Sequence, residues 1–183
     1  MMEAYISLLR GVNVSGQKMM KMPDVKALYE ELEFKDVITY IQSGNIIFKA
    51  GKKISEQDLS KKIAERIRRK YWFDVPVTIR TLAEMKKTIS LNPFLKKKEI
   101  DRERLYVTFL EEKPTKEGQK KLEEFDPSPD KFIIVGREVY LHCPNGYGNS
   151  KISNNFFESK LKITATTRNW KTVNTLVDLS SPK

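Results

Sequence analysis

Two glycines stand just ahead of a serine and a lysine in the segment Asn145-Gly146-Tyr147-Gly148-Asn149-Ser150-Lys151, and these residue types suit anion binding. Glycine tolerates positive φ and lets the backbone approach a ligand closely. Ser150 reads as the residue that opens a helix, whose free amides and dipole favour a negative group. Lys151 adds a point charge, and Arg168, in Thr166-Thr167-Arg168-Asn169, could supply a planar fork for phosphate or carboxylate. The spacing is not the GxxxxGK[ST] of a Walker A loop. The competing reading is a glycine-rich turn capped by Ser150, with Arg168 tying down a loop. A second polar set, Arg10, Gly11, Asn13, Ser15 and Gly16 with Gln42-Ser43-Gly44-Asn45, poses the same choice between ligand contacts and internal hydrogen bonds. The candidate ligand-binding residues are Arg10, Asn13, Gln42, Ser43, Asn45, Tyr147, Ser150, Lys151, Thr167, Arg168 and Asn169.

No catalytic signature accompanies them. His142 and Cys143 are neighbours on an expected strand, so their side chains point to opposite faces and do not form a dyad; Cys143 reads as a small buried residue. There is no GxSxG, HExxH or paired CxxC. The carboxylates are scattered, no metal site is indicated and no cofactor is called for. Neither Asn45-Ile46-Ile47-Phe48-Lys49-Ala50 nor Glu138-Val139-Tyr140-Leu141-His142-Cys143 has the glycine-aromatic order of an RNA-recognition strand. Tyr5, Tyr40 and Phe48 read as packing residues instead.

The chain has 183 residues, enough for a self-sufficient core. A single cysteine excludes an internal disulfide and fits a reducing cytoplasm. No apolar run approaches the roughly 20 residues that span a bilayer, and the first residues do not read as a signal peptide. A net charge of +10 favours polyanionic partners. That excess is spread over both halves, with concentrations at Lys61, Lys62, Arg66, Arg68, Arg69 and Lys70 and at Lys96, Lys97 and Lys98. Solvated faces account for both, and nucleic-acid binding stays open.

The elements that must position the polar residues follow from periodicity. Residues 4–9 form an apolar strand, and Pro23 starts a helix carrying Val25, Leu28, Tyr29 and Leu32. Residues 37–41 and 46–48 flank the Ser43-Gly44-Asn45 turn as a hairpin. Ser55 with Asp58 resembles a capping box ahead of Leu59, Ile63 and Ile67. Residues 75–80 form a strand, and Thr81 with Glu84 makes another capping box. The second half repeats the order: strand 105–110, helix 115–125, hairpin 132–135 with 139–142, helix 150–161, strand 163–166 and helix 169–179. The expected fold class is α+β, a tandem duplication of two ferredoxin-like βαββαβ subdomains, each followed by an extra helix, with antiparallel or mixed sheets. The expected division is 1–91, a linker at 92–103, and 104–183, with one structural domain as the alternative.

In such a sheet the first and second strands run parallel, so their C-terminal ends share an edge. This places the loop after strand one beside Gln42–Asn45 in the first repeat. The third and fourth strands end at the opposite edge, which in the second repeat places 145–151 beside 166–169. The corresponding edges of the other repeat (Gly51-Lys52-Lys53 with Thr81; Glu111-Glu112 with Gly136) are plainer.

Four segments resemble a known family. Leu8–Gly16 (LLRGVNVSG), Thr39–Phe48 (TYIQSGNIIF), His142–Lys151 (HCPNGYGNSK) and Thr164–Val173 (TATTRNWKTV) look like the signature blocks of bacterial proteins catalogued as domain of unknown function 1697. The resemblance implies tandem ferredoxin-like subdomains and a bacterial cytoplasmic protein, and brings no activity. Val14-Ser15-Gly16 stands where that family commonly has a Gly-Gly pair.

Three functional classes follow. The first is a binding protein for a phosphate-bearing ligand, either a nucleotide or a nucleic acid. The second is a metal-free enzyme acting on a small metabolite through Asn13, Gln42, Asn45, Tyr147 and Asn169 in a cleft between the repeats. The third is a protein–protein adaptor, which requires an exposed apolar patch.

Overall fold

A computed structural model describes residues 2–51, 53–97 and 99–181; Lys52 and Lys98, named above among the charged loops, lie outside the described residues. The first repeat runs β1 (Met2–Leu9), α1 (Met22–Glu31), β2 (Lys35–Tyr40), β3 (Asn45–Gly51), α2 (Glu56–Tyr71), β4 (Val77–Thr81) and α3 (Leu82–Ser90). The second runs β5 (Leu105–Leu110), α4 (Lys116–Glu123), β6 (Lys131–Val135), β7 (Glu138–His142), α5 (Asn154–Leu161), β8 (Ala165–Asn169) and α6 (Trp170–Ser180). The sheets have orders β2-β3-β1-β4 and β6-β7-β5-β8, with every neighbouring pair antiparallel. This is the expected α+β duplication with an extra helix after each repeat.

The chain divides into two units, Met1–Lys86 with Leu176–Lys183, and Lys87–Thr175. Residues 92–103 hold two short 3-10 turns, Pro93–Lys96 and Arg102–Arg104, and lie within the second unit.

In the first unit one sheet face meets the helices. Tyr5 and Leu9 of β1, Ile46 and Phe48 of β3, and Ile79 of β4 pack with Val25, Leu28 and Tyr29 of α1 and Leu59, Ile63 and Ile67 of α2. Phe34 stacks on Phe48 at 4.6 Å between centroids, and Tyr29 meets Phe48 edge-on at 5.4 Å. The Tyr29 and Ser7 hydroxyls share a buried hydrogen bond of 2.7 Å, so neither of these two buried oxygens is left unsatisfied. The second unit repeats the scheme with Leu110, Val139, Leu141 and Ala165 against Leu122 and Phe157.

The helix starts follow local chemistry. Ser55 Oγ accepts from the Asp58 N–H at α2. At α3 the Thr81 N–H donates to Glu84 Oε2 while the Glu84 N–H donates to Thr81 Oγ1, a reciprocal capping box. Two sequence expectations shift. The helix expected from Ser150 begins at Asn154 with Ser153 as its cap, because residues 147–149 take a 3-10 turn and Ser150 is engaged elsewhere. The strand expected at 163–166 lies at Ala165–Asn169, where pairing with Tyr106–Leu110 sets the register.

Gly44 fixes the end of the first hairpin. It has φ +74°, and a Cβ there would lie 2.6 Å from Val12 Cγ2 and 2.7 Å from Leu9 Cβ. Gly11 shares the positive φ, +69°, but a Cβ there meets nothing within 4 Å. Gly11→Ala should therefore lose about 1 kcal/mol for the backbone alone, and Gly44→Ala about 2–4 kcal/mol once overpacking is added. Urea unfolding of the two variants checks this; equal losses would show that the clash relaxes away.

Candidate functional site

The first edge is built where β1 and β2 end. The Leu9 N–H donates to Gly44 O at 2.8 Å, which brings the β1–α1 loop against the hairpin. Asn13, at φ +55°, clamps the loop from inside. Its Nδ2 donates to Met20 O at 2.9 Å and Gln42 O at 2.7 Å, and its Oδ1 accepts from the Met20 N–H at 2.7 Å. A single amide thus uses both donors and its acceptor to hold two segments far apart in sequence. Asn45 is buried and donates from Nδ2 to Tyr40 O at 3.1 Å and Ser43 Oγ at 3.0 Å, closing the hairpin. The Arg10 N–H donates to Pro76 O at 3.0 Å, and Lys18 Nζ donates to Asp74 O at 2.6 Å. The segment after α2 is thereby drawn to the same edge.

These contacts frame a cleft of about 480 Å³, within the range of small-molecule sites. Met19, Met20, Met22 and Pro23 supply an apolar wall, while Asn13, Lys21, Asp24, Gln42 and Tyr71 supply polar groups. Gln42 and Lys21 are exposed. Tyr71 Oη is buried without a hydrogen-bond partner among the described residues. Burial, with the Asp24 charge nearby, raises the Tyr71 phenol above its ordinary pKa, so it stays protonated and a donor at neutral pH. Lys70 Nζ donates to Asp24 O at 3.3 Å and lies 5.9 Å from the Tyr71 ring centroid.

The second edge joins the loop after β7 to β8, also as the strand directions require. Its polar groups satisfy one another. The Asn154 N–H donates to Tyr147 Oη at 3.0 Å, Tyr147 Oη donates to Thr167 Oγ1 at 3.1 Å, and Thr167 Oγ1 donates to Asn154 Oδ1 at 2.6 Å. Thr108 Oγ1 lies 2.7 Å from the same Thr167 oxygen, completing its capacity. Ser150 Oγ donates to Asp130 Oδ2 at 2.7 Å and accepts from the Ile152 N–H at 3.1 Å. Asn169 Oδ1 accepts from the Thr172 N–H at the start of α6. Lys151 is exposed.

Arg168 is buried in β8. It sits opposite Val107 in the ladder, on the sheet face alternate to Thr167, and is only 9% exposed. Its Nη1 donates to Thr167 O at 2.9 Å and Thr166 Oγ1 at 3.3 Å. Burial lowers its pKa to about 10, which leaves it charged at neutral pH. The Ser150 hydroxyl is engaged by Asp130 and Arg168 Nη1 by Thr167 O and Thr166 Oγ1, while Lys151 stays exposed. His142 and Cys143 diverge as strand alternation requires. Cys143 lies in the apolar core, and His142 sits 6.1 Å from the Phe94 ring.

A family model described as "Protein of unknown function (DUF1697)" matches residues 2–140. The chain belongs to this family. The match takes in the blocks at 8–16 and 39–48 and stops short of those at 142–151 and 164–173. Among solved structures, the conserved bacterial protein SP0830 from Streptococcus pneumoniae is similar, with a TM-score of 0.74 and 19% identity over 99% of this chain and 100% of that one. At that identity the likeness speaks for the fold alone. No curated protein matches. Membership in DUF1697 thus brings an architecture and no reaction. Among the described residues no helix is long and apolar enough to cross a membrane, and no three His, Cys, Asp or Glu side chains group as metal ligands would.

The sequence reading of this DUF1697 protein did not select Met19, Lys21 or Tyr71 of the cleft, nor Arg80 or Trp72. Met19 and Tyr71 line the cleft; their signal was the run of methionines before Pro23 and the aromatic trio closing α2. Arg80 is 1% exposed and donates from Nη1 to Ile79 O at 2.9 Å, as Arg168 does to its own preceding carbonyl. Its place directly before Thr81, like that of Arg168 before Asn169, was the signal. Trp72 is 90% exposed.

The Tyr147–Thr167–Asn154 circuit predicts a shared energy. Tyr147→Phe and Thr167→Val should each destabilise the fold by about 1–3 kcal/mol, by leaving a part-buried partner unsatisfied. The double variant should lose clearly less than their sum. Additive losses in urea titrations would show that the groups act separately.

Burial pushes the Cys143 thiol from the ordinary range near 9 up to about 11. The folded value lies above the unfolded one, so its stabilising contribution is full below about pH 9 and is lost as pH rises toward 11. Melting temperatures should fall across that window, and less steeply in Cys143→Ala. An unchanged slope in the variant would assign the decline to the buried phenols Tyr29 and Tyr140 instead, whose pKa values burial also raises.

Proposed function

We propose that this protein binds a phosphate-bearing small molecule of nucleotide type in the cleft of the first unit. The observation that carries the reading is one cavity with a methionine–proline wall on one side and lysine, amide and phenol groups on the other. Polarisable thioethers fit a flat ring of variable outline. Lys21 at the rim, with Lys70 close to Tyr71, supplies positive charge for a phosphate. The exposed Gln42 amide can read both donor and acceptor positions of a base edge. Tyr71 Oη supplies a donor that nothing within the described fold uses.

Of the residues first selected on chemical grounds, Gln42 is the direct contact in this reading. Asn13, Ser43, Asn45 and Arg10 hold the edge in shape. Tyr147, Ser150, Lys151, Thr167, Arg168 and Asn169 are left outside the ligand contact. The reading is of binding, with no reacting group assigned, and it places the protein in the cytoplasm, where such ligands are abundant and Cys143 stays reduced.

Thermal shift with AMP, ATP and inorganic phosphate tests it. A mononucleotide at 100 times its dissociation constant should stabilise the fold by about 2.7 kcal/mol. Lys21→Ala should weaken binding about tenfold, the scale of one charged hydrogen bond. Tyr71→Phe should weaken binding while leaving the unliganded protein as stable or slightly more so, because the hydroxyl it removes has no partner. No shift with either nucleotide, or a shift that Lys21→Ala leaves intact, would refute the assignment.

A further inference from the structure

α2 ends on a residue that the fold does not use. Trp72 closes the helix at φ 62° and ψ 22°, the left-handed position that glycine normally takes at a helix C-terminus. Its N–H donates to Arg68 O at 2.9 Å, so the backbone has a structural task. The indole has none, being 90% exposed while Tyr71 and Phe73 on either side stack on each other at 5.7 Å. A large apolar ring therefore stands in water at a position whose conformation disfavours any side chain. Stability explains neither feature.

Its surroundings are cationic. With Arg68, Arg69 and Glu65 it lines a depression of about 390 Å³. Arg68 and Arg69 keep 72% and 69% of their side chains exposed, in ion pairs with Asp74 and Glu65 that are equally open to solvent. Lys18 is anchored beside them through Asp74 O. A single exposed aromatic face flanked by two arginines and a lysine repeats the layout of a nucleic acid strand, a flat base beside anionic phosphates. A folded protein partner would be met by a wider apolar surface, whereas the residues around Trp72 are highly exposed charged groups.

We propose that the C-terminal end of α2 is a contact site for single-stranded nucleic acid, with one base stacked on Trp72 and neighbouring phosphates held by Arg68, Arg69 and Lys18. The site is distinct from the cleft and stands on different residues.

Intrinsic fluorescence tests it, since the chain has two tryptophans and the other, Trp170, is buried. Titration with an oligothymidylate or oligouridylate of about a dozen nucleotides should quench the emission. Affinity should fall with salt at a logarithmic slope of about −2, from ~0.7 per phosphate contact on a single strand. Anisotropy of the labelled strand should show Trp72→Ala and Trp72→Gly weakening binding about tenfold, the scale of one stacked base, and Trp72→Phe retaining most of it. Trp72→Gly suits the left-handed position and should melt no lower than the wild type, which separates lost binding from lost structure. Arg68→Ala with Arg69→Ala should flatten the slope by about 1.4. Tyr71→Phe should leave oligonucleotide affinity unchanged, and Trp72→Ala should leave any mononucleotide shift unchanged, so this proposal and the cleft reading can fail separately. No saturation by about 0.1 mM strand at low salt would overturn the proposal. So would undiminished binding by Trp72→Ala, and so would equal binding of polyglutamate, which would give the surface to an acidic protein partner.

Discussion

Each sheet hangs on a central strand buried on both faces. In β1, Ile6, Leu8 and Leu9 are fully buried with Tyr5 and Ser7 beside them; in β5, Leu105, Val107, Thr108, Phe109 and Leu110 are fully buried. A strand in that position admits few polar groups, and each must be hydrogen-bonded where it stands. The rule shows in Ser7, paired with Tyr29, and Thr108, paired with Thr167. Because β1 and β5 each bond to two antiparallel neighbours, their register decides which loops emerge together. Leu8 opposite Asn45 delivers the β1–α1 loop to the first hairpin, and Tyr106 opposite Asn169 delivers the end of β8 to the loop after β7.

The same constraint gives the duplication a residue-level mark. Arg80 lies opposite Ile6 and Arg168 opposite Val107, each in the last strand of its repeat and each nearly devoid of exposure. Each donates to the carbonyl of the residue before it and is followed by a residue that caps a helix. A guanidinium can be buried this way because its five donors in a fixed plane find hydrogen-bond partners that offset the cost of burying its charge. Burial holds Arg168 down to about 10, still well above neutral pH. Away from this shared frame the repeats diverge. The loop after β7 closes its polar groups into a circuit, while the β1–α1 loop uses Asn13 as an internal clamp and leaves Gln42 and Lys21 at the surface.

The order of elements was legible because periodicity and capping residues carry it locally. Thr81 with Glu84 and Ser55 with Asp58 form the caps their spacing implies, and Ser43-Gly44-Asn45 makes the turn. Strand directions then paired the loops at the correct edges. What stayed hidden were choices among partners. Ser150 had the type and place of a helix cap, yet Asp130, twenty residues earlier, takes its hydroxyl and the helix starts at Asn154. Arg168 had the chemistry of a phosphate fork, but strand alternation sends it to the opposite face from Thr167. Residue type says what a side chain can bind; only the ladder register says which face it occupies. Trp72 shows the converse, since nothing in its neighbours' pattern separates a buried ring from one left in water.

A net charge of +10 looks like a polyanion signal, but its residues are already occupied in part. On α2, Arg66 pairs with Glu31, Arg69 with Glu65 and Arg68 with Asp74, and Lys62 lies over the Phe34 ring. These pairs are open to solvent, so salt screens them and each contributes little to the fold. Weak internal pairing has a functional corollary. An arginine held by an exposed carboxylate can pass to a phosphate with little loss, whereas Arg80 and Arg168 are themselves buried and hydrogen-bonded to main-chain carbonyls, so moving them would cost those bonds. The cations that the fold holds loosely include those at the end of α2 and at the rim of the cleft.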